Sequence, residues 1–477
     1  MSGLTYAAAL DAIDQRGRFG IRLGLGRTRA LLAGLGHPER SIRGALVAGT
    51  NGKGSVLAIA GAGLRAAGYR VGLTPKPHLI SYRERLVIDD RPIEPDAFAR
   101  LIEEVLPVAD RVERRLGPPT EFELLTAAIF LWFARQRVDV ALVEVGLGGR
   151  LDATHAWDGG VAVISNVALD HMDHLGTTID AIAHEKAAII ERGDRAVTGA
   201  TGEAREIISR RARRVGAQLA VAPPAPLLGW DRDTIAVWLP GLGPTRVGLR
   251  GRHQAANVAV ADATLDALGA AGIAHAGADA RREGYARARW PGRLELLEVA
   301  RPGPGRGATT EVLLDGAHNP AGAAALAQAL DDLRPLLAGG RPDPPVPLTV
   351  VLGIMADKDV AGVIDALAGP AMEHAQVICT QVDLARALPA AELAAAWRAA
   401  HPGSRPVAEP DATAAIERAL RSAPGPIMVA GSLYLVGHAR AQLAPDPLLT
   451  DLPGEPGAPS RPPTGAPSRP RTAAAAR

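Results

Sequence analysis

Short, wholly apolar segments alternate with helical segments along most of this chain, and this alternation limits the fold more than any other feature. Residues 44–48, 138–145 and 161–167 are apolar runs of strand length. The helices predicted around them span 56–67, 121–135, 178–192 and 253–268. Strands that are apolar on both faces must be covered on both faces, so the pattern predicts a doubly wound parallel sheet of the α/β class.

A second alternation begins after Trp290 and predicts a smaller α/β unit. Its predicted strands span 311–315, 347–354, 376–382 and 427–431, and its predicted helices span 320–333, 360–367, 390–400 and 412–422. We therefore expect a large P-loop-type domain over 1–293 and a smaller Rossmann-like domain over 294–443. Residues 444–477 are rich in proline, alanine and arginine without apolar periodicity, which predicts a disordered tail.

The composition excludes several classes of function. The 477 residues carry a formal net charge of +2, which argues against a surface for nucleic acid or membrane. No apolar run approaches the ~18 residues of a transmembrane helix. The single cysteine, Cys379, lies in an apolar run, which indicates a buried thiol and a reducing compartment. We expect a cytoplasmic monomer whose partners are small molecules.

Lysine is rare in this chain. The four lysines, among 53 lysine and arginine residues, are Lys53, Lys76, Lys186 and Lys358. Arginine fills most positions where any positive charge suffices, so the remaining lysines are enriched at sites that need a compact, titratable ammonium. An arginine-biased composition that spares a few lysines at random is the alternative.

A glycine-rich turn connects a predicted strand to a predicted helix. Its sequence is Gly49-Thr50-Asn51-Gly52-Lys53-Gly54-Ser55. Glycines let backbone N–H groups point at phosphate oxygens, and the start of the next helix adds partial positive charge. Lys53 can reach the β- and γ-phosphates of a nucleotide, and Ser55 can ligate Mg²⁺. The turn predicts a nucleotide site, with an ordinary glycine-rich turn as the alternative.

Two other strands lead into ionisable groups. Glu144 ends one strand, and Asp170 and His171 follow the next. The carboxyl ends of parallel strands border the ligand crevice of an open sheet. Glu144 can hold Mg²⁺ there, whereas the imidazole of His171 leaves Zn²⁺ or Mn²⁺ open. The alternatives are a Glu144 that faces solvent or pairs with Arg150, and a His171 with a structural hydrogen bond.

Lys186 shares an apolar helix stripe with Ile179, Ile182 and Ile189. One interpretation is an ammonium that extends past the core to water. The other is a buried amine: desolvation lowers the pKa of a lysine, and a neutral amine can add CO₂ to become a carbamate. Such an anion would help to hold a metal beside the acidic strand end.

Seven motifs, in order, give the chain a resemblance to the folylpolyglutamate synthase/dihydrofolate synthase family of the Mur ligase superfamily. The resemblance covers roughly residues 23–438. Its motifs are the glycine-rich turn, Glu144-Val145-Gly146-Leu147-Gly148-Gly149-Arg150-Leu151-Asp152-Ala153-Thr154, Leu169-Asp170-His171-Met172-Asp173-His174-Leu175-Gly176, Glu185-Lys186-Ala187, His253-Gln254-Ala255-Ala256-Asn257, Trp290-Pro291-Gly292-Arg293-Leu294-Glu295 and Leu314-Asp315-Gly316-Ala317-His318-Asn319-Pro320.

The resemblance implies a role for each matching position. Contacts to ATP are implied for Asn51, Gly52, Lys53, Gly54, Ser55, Asn257, Arg293 and Asp315. One or two Mg²⁺ ions would be held by Ser55, Glu144 and His171. The catalytic residues would be Lys53, a carbamylated Lys186, and His318 near the transferred phosphate. The pterin side would be lined by Thr120, Glu121, Phe122, Glu123 and Leu151.

Two stretches of the implied site have a second interpretation. Thr120 and Glu123 also fit a helix capping box. In Thr74-Pro75-Lys76-Pro77-His78, Lys76 stands where the family commonly has a metal-ligating serine. A charged ammonium cannot ligate Mg²⁺, so Lys76 would contact substrate or phosphate directly, or be a surface lysine.

The implied activity is ATP-dependent amide formation. The γ-phosphoryl group of ATP activates a carboxylate as an acyl phosphate, and the amine of L-glutamate displaces phosphate. The acid would be dihydropteroate, the γ-carboxyl of a tetrahydrofolate, or both. The alternatives are another Mur-type amino-acid ligase of cell-wall synthesis and a non-catalytic nucleotide-binding protein.

Overall fold

The computed structural model describes residues 3–17, 20, 22–302, 308–337 and 346–449. Within these ranges the chain forms two α/β domains, each with its own sheet, and a small antiparallel sheet between them along the chain. No helix in the described ranges is both long and apolar enough to cross a membrane.

The first domain is built on an eight-stranded sheet, counted over the described residues, in the order β4-β3-β2-β5-β1-β6-β7-β8. Its strands are β1 (Gly44–Ala48), β2 (Val71–Thr74), β3 (Val87–Ile88), β4 (Arg91–Pro92), β5 (Val140–Glu144), β6 (Gly160–Ile164), β7 (Arg195–Thr198) and β8 (Gln218–Val221). All neighbours from β2 to β8 pair in parallel, and β3 and β4 add an antiparallel edge. The central strands are buried along their length, as their apolar sequences predicted.

Helices cover both faces of this sheet. They are α1 (Tyr6–Gly17), α2 (Gly26–Gly34), α3 (Lys53–Ala66), α4 (Pro95–Leu116), α5 (Glu121–Gln136), α6 (Met172–Leu175), α7 (Ile179–Ala187), α8 (Gly202–Val215), α9 (Gln254–Ala270) and α10 (Ala278–Arg287). Helices α4, α5, α7 and α8 pack into the core on one face, and α3, α9 and α10 pack into the core on the other. The predicted doubly wound architecture is confirmed.

The irregular segment after β8 forms the small antiparallel sheet. Its strands are β9 (Leu227–Trp230), β10 (Ile235–Leu239) and β11 (Gly243–Val247), with β10 in the centre. Alternate residues of β10 are buried against α9 and its neighbours, so this sheet closes one side of the first domain.

The second domain holds a six-stranded sheet, counted over the described residues, in the order β12-β13-β17-β14-β15-β16. Its strands are β12 (Glu295–Ala300), β13 (Thr309–Asp315), β14 (Thr349–Leu352), β15 (Gln376–Gln381), β16 (Val407–Asp411) and β17 (Ile427–Ala430). Its helices are α11 (Pro320–Leu333), α12 (Val360–Leu367), α13 (Ala390–Ala400), α14 (Ala412–Ser422) and α15 (Leu433–Leu443). Only β12 among these strands pairs in an antiparallel way, so the sheet is the predicted Rossmann-like type.

The two domains make direct contacts away from the sheet edges. Arg252 forms a two-pronged ion pair with Asp332, with Nε–Oδ2 of 2.6 Å. At Gly437 of α15 an added Cβ would lie 2.0 Å from the carbonyl oxygen of Leu79, so the two backbones pack against each other without a side chain between them.

The first residues of the predicted tail contact the first domain. Residues 446–449 form a hydrogen-bonded turn, and Arg83 donates a 2.6 Å hydrogen bond to the carbonyl of Leu448. The predicted boundary at residue 444 follows the end of α15 at Leu443, and the disorder of the tail stays a prediction. The rest of the predicted tail, 450–477, lies outside the described residues.

Candidate active site

Three neighbouring strands of the first sheet deliver polar groups to one edge. β1 lies between β5 and β6, and all three are parallel. The glycine-rich turn follows β1, Glu144 ends β5, and Ser165, Asn166 and Asp170 follow β6. Because the carboxyl ends of parallel strands meet at the same edge, these groups gather at one crevice.

The glycine-rich turn is held from two sides. Asn51 N–H donates to Oδ1 of Asn166 at 2.9 Å, and the Ser165 hydroxyl donates to the carbonyl of Asn51 at 2.7 Å. Gly52 has φ of +81°, and an added Cβ would lie 2.2 Å from Oδ1 of Asn257 on α9. Only glycine fits such a backbone position without displacing Asn257. Helix α3 starts at Lys53, so its first N–H groups face the turn.

Lys53 and Lys186 meet on one oxygen. The Nζ atoms of Lys53 and Lys186 donate to the carbonyl of Gly49 at 3.0 Å and 3.1 Å, and Lys53 also donates to Thr50 at 3.1 Å. Lys186 is 4% exposed. Burial, followed by the nearby charge of Lys53, lowers the pKa of Lys186 to about 7. Burial also lowers the pKa of Lys53, which Glu144 partly offsets.

Glu144 is a buried carboxylate at the end of β5. Its Oε2 accepts a 3.0 Å hydrogen bond from the backbone N–H of Lys76, and its Oε1 lies 3.9 Å from Nζ of Lys53. Burial raises the pKa of Glu144, and Lys53 opposes this shift. The alternatives of a solvent-facing glutamate or a pair with Arg150 do not hold, because Arg150 pairs with Glu185 instead.

Asp170 joins the two domains. Its Oδ1 accepts from Nζ of Lys358 at 2.8 Å, and its Oδ2 accepts from Nδ2 of Asn319 at 3.0 Å. Both partners belong to the second domain. Burial would raise the pKa of Asp170, but His171 (when it is protonated, at low pH) and Lys358 outweigh this effect and hold the pKa below its usual range. Asp170 therefore stays ionised and anchors one domain to the other.

A pair of asparagines adds a second bridge between the domains. The side-chain amides of Asn51 and Asn319 exchange hydrogen bonds of 3.3 Å and 3.1 Å. Asn319 also caps the N-terminus of α11 by accepting from Gly322 N–H. The glycine-rich turn is thus linked directly to the first helix of the second domain.

Two histidines lie next to Asp170. Nε2 of His318 is 3.7 Å and Nε2 of His171 is 3.9 Å from Oδ2 of Asp170. Burial lowers the pKa of each to about 4, and Lys358 contributes to both shifts. Both imidazoles are therefore neutral at pH 7, which leaves a ring nitrogen of each able to accept a hydrogen bond or to bind a metal.

Asp315 ends β13 and organises the junction between the domains. Its carboxylate accepts from the backbone N–H groups of Leu294 and Ala317, both at 2.9 Å. An added Cβ at Gly316 would lie 2.4 Å from a guanidinium nitrogen of Arg293, so that side chain passes over the end of β13. The charge of Arg293 lowers the pKa values of Lys53 and His318, which places Arg293 beside the crevice.

The start of α5 forms a separate wall. Thr120 and Glu123 make the reciprocal hydrogen bonds of a capping box, so the capping interpretation holds. Glu123 also accepts from Arg27 at 2.9 Å, and Glu121 lies 3.6 Å from Arg85. Leu151 lies in the loop after β5, where its carbonyl accepts from Gly24 N–H at 3.3 Å.

Lys76 connects this wall to Glu144. Its backbone N–H binds Glu144, and its Nζ lies 4.3 Å from the centre of the Phe122 ring. Burial lowers the pKa of Lys76 to about 8, against the raising effect of Asp152. The alternative of a surface lysine does not hold, because Nζ is shielded from solvent.

The residues present fit a nucleotide and a magnesium ion. The turn, the start of α3 and Lys53 suit phosphate oxygens, and Gly52 keeps the backbone open to them. No group of three or more metal-binding His, Cys, Asp or Glu side chains occurs in the described ranges. Mg²⁺ commonly takes one or two protein oxygens together with phosphates and waters, and Glu144 and Ser55 suit that role.

Two residues of this crevice, Asn319 and Lys358, were absent from the predicted site, and Asp170 was predicted at the sheet edge without a role. The sequence drew attention to Lys358 because lysine is rare in this chain, and to Asn319 because it follows His318 in a family motif. No sequence signal pairs Lys358 with Asp170, because 188 positions separate them along the chain.

Comparisons with known proteins agree with this geometry. Residues 292–433 match the family model described as the glutamate ligase domain of Mur ligases. The chain is 33% identical to the dihydrofolate synthase/folylpolyglutamate synthase of Bacillus subtilis, over 92% of this chain and 99% of that protein. It is 38% identical to the protein of the same name from Mycobacterium tuberculosis, over 72% of each chain.

Solved structures give the same result. The Mycobacterium tuberculosis folylpolyglutamate synthase complexed with ADP and AMPPCP is 33% identical, with a TM-score of 0.79 over 93% of this chain and 100% of that one. Escherichia coli FolC in complex with DHPP and ADP is 28% identical, with a TM-score of 0.73 over 92% of this chain and 98% of that one.

Proposed function

The chain belongs to the dihydrofolate synthase/folylpolyglutamate synthase family of ATP-dependent amide-forming ligases, and we propose that it joins L-glutamate to dihydropteroate, to the γ-carboxyl of a tetrahydrofolate, or to both. The observation that carries this proposal is the crevice in which Lys53 and Glu144 of one domain face the second domain across the Asp170 contacts. A carboxylate and an amine held between two domains can be kept in line with the transferred phosphoryl group.

The phosphoryl end of the site is formed by the turn after β1. Lys53 and the N–H groups at the start of α3 stabilise negative charge on the γ-phosphoryl group as it moves to the acid. Asn51, Gly52, Gly54 and Asn257 shape the turn, while Arg293 and Asp315 contact the nucleotide from the domain junction. Ser55, Glu144 and His171 would hold one or two Mg²⁺ ions, which supply Lewis-acid charge at the phosphates.

The reaction has two steps in this proposal. A carboxylate oxygen of the acid bonds to the γ-phosphorus, the bond to the bridging oxygen breaks, and ADP leaves. The amine of L-glutamate then attacks the acyl phosphate and phosphate departs. In this proposal the imidazole of His318, neutral at pH 7 because its pKa is about 4, would lie near the transferred group and accept a hydrogen bond, and the departing phosphate carries away the amine proton. Thr120, Glu121, Phe122, Glu123 and Leu151 form the wall on the pterin side.

Lys186 acts as a carbamate in this proposal. Its amine is buried with a pKa of about 7, and it shares an oxygen with the ammonium of Lys53. Addition of CO₂ to the neutral amine forms an N–C bond and releases one proton, so that an anion takes the place of a neutral amine beside the ammonium of Lys53. A carbamate signal from ¹³C-labelled CO₂ in the wild-type NMR spectrum, lost in Lys186→Arg, is expected. A spectrum without that signal would exclude the modification.

The function is tested by release of ADP. With ATP, Mg²⁺ and L-glutamate, we expect turnover when dihydropteroate or tetrahydrofolate is added, and none with a UDP-muramyl acid. Lys53→Met should reduce kcat by about 10²-fold or more, the usual cost of removing one donor from a developing charge. Turnover only with the UDP-muramyl acid, or with no acid, would refute the proposal. The cytoplasmic location and monomeric state remain predictions from the sequence.

A further inference from the structure

The ammonium of Lys76 is buried without a hydrogen-bond partner in the described part of the chain. Its Nζ is shielded from solvent and bonds to none of the residues that the structure describes. Its close neighbour is the ring of Phe122, 4.3 Å from Nζ to the ring centre. An ammonium carries three donors, and buried donors are normally bonded. The position therefore has unused capacity for an anion.

The nearby carboxylates are already engaged. Asp152 accepts hydrogen bonds from the backbone N–H groups of Gly146, Leu147 and Thr154 and from the Thr154 hydroxyl. An ionised carboxylate has about four lone-pair sites, so Asp152 has none left for Lys76. Glu144 binds the backbone N–H of Lys76 through one oxygen and faces Lys53 through the other.

The side chain of Lys76 spans two parts of the site. Its backbone is fixed to Glu144 at the phosphoryl end, and its Nζ lies on Phe122 at the wall assigned to the acid. The Phe122 ring packs against Gly146, where an added Cβ would lie 2.8 Å from the ring. The charge is therefore held at one place, between the phosphoryl group and the body of the acid.

We infer that Nζ of Lys76 binds the reacting carboxylate of the acid substrate and stays bound as that carboxylate becomes the acyl phosphate. This inference rests on the proposed function. A compact ammonium suits either anion as a point charge. No proton moves between Lys76 and the substrate, and its role is to bind and orient. Because the group is anionic before and after phosphoryl transfer, the contact is made throughout and acts mainly on KM.

Substitution of Lys76 tests the inference. In Lys76→Met we expect the KM for the acid to rise by about tenfold or more. The KM values for ATP and L-glutamate should stay within about twofold, since those substrates lack this contact. Lys76→Arg keeps the charge and should recover part of the loss. Arg70→Met is the matched control, because Arg70 precedes the same strand and is exposed at its other end. An unchanged KM for the acid, or an equal rise for ATP, would overturn the inference.

A binding measurement on the wild-type protein needs neither turnover nor a variant that folds. With AMPPCP bound, calorimetry compares dihydropteroate with the same pterin lacking its carboxylate. We expect the compound without the carboxylate to bind about tenfold more weakly or worse. Equal affinity would overturn the role of Lys76, whereas absence of ADP release in the full assay would overturn the proposed function instead.

Discussion

At the scale of single residues, the main feature of the crevice is that its buried amines outnumber the carboxylates beside them. Lys53 and Lys186 share the carbonyl of Gly49, while Glu144 lies 3.9 Å from Lys53. Two amines on one oxygen, both buried, make protonation of the second unfavourable. This arrangement explains why the pKa of Lys186 falls to about 7.

The pH dependence has a definite sign. Only the neutral amine of Lys186 adds CO₂, so below its pKa of about 7 the reactive fraction falls about tenfold per pH unit. At fixed dissolved CO₂ we expect kcat to decline as the pH is lowered from about 8 to about 6, a range centred on the pKa. Added CO₂ at constant pH should raise the wild-type rate and leave Lys186→Arg unaffected. Identical profiles with and without CO₂ would contradict this.

Asp170 and Lys358 form a buried pair whose members depend on each other. Removal of one partner leaves an uncompensated charge, so Asp170→Asn or Lys358→Met should each lower kcat/KM by about 10- to 100-fold. The double variant should lose little more than either, which gives a coupling energy of about 1–3 kcal/mol in a double-mutant cycle. The exposed pair Glu283 and Arg287 is the control, with additive and small effects. Additive losses at Asp170 and Lys358 would contradict the pairing.

At the scale of elements, the connection from β1 to α3 depends on one glycine. In Gly52→Ala the new Cβ would meet Asn257 at 2.2 Å, so the turn must shift. We expect the KM for ATP to rise by about tenfold or more, in line with ~1.4 kcal/mol of lost binding. Gly36→Ala is the control, since Gly36 also has φ of +81° but open space at its Cβ. If Gly52→Ala and Gly36→Ala raised the KM for ATP equally, backbone strain rather than the contact with Asn257 would account for the rise.

Element boundaries were predictable where capping chemistry is local. The sequence predicted α11 and α12 to the residue, and Asn319 and Asp359 cap them with side-chain hydrogen bonds. It overextended α7, because Ile189 continues the apolar periodicity although the helix ends at Ala187. It missed α4, whose helical spacing is interrupted by Pro107, a residue that normally breaks a helix.

Site residues that are recognisable within one short segment were predictable from the sequence. Contacts between residues of different domains were not. Lys53 and Glu144 follow from a turn and a strand end, each legible over a few residues. The partners of Asp170 come from strand and helix ends of another domain, and no local periodicity connects them. The burial of Lys76 was likewise invisible, because it depends on how the segment after β2 passes over Phe122 on α5.

At the scale of the whole molecule, the nucleotide is expected to bind residues of both domains. Lys53 lies in the first domain, and His318 and Asp315 lie in the second. A ligand that binds only the folded protein stabilises it by mass action, by about 2.7 kcal/mol at a concentration of 100 Kd. We expect AMPPCP to raise the unfolding temperature of both domains in calorimetry, with a smaller effect in Lys53→Met. A shift confined to the first domain would contradict a shared nucleotide site.

The contact of Gly437 with Leu79 leaves no space for even a methyl group. Two backbones that touch so closely cannot come nearer, so we expect this contact to be the pivot of any rotation of one domain against the other. Leu79 lies three residues beyond Lys76, so a small rotation at this pivot would also move Lys76. A bulky residue in place of Gly437 would push the two domains apart at a point away from the reacting groups. It should lower kcat without contacting a substrate.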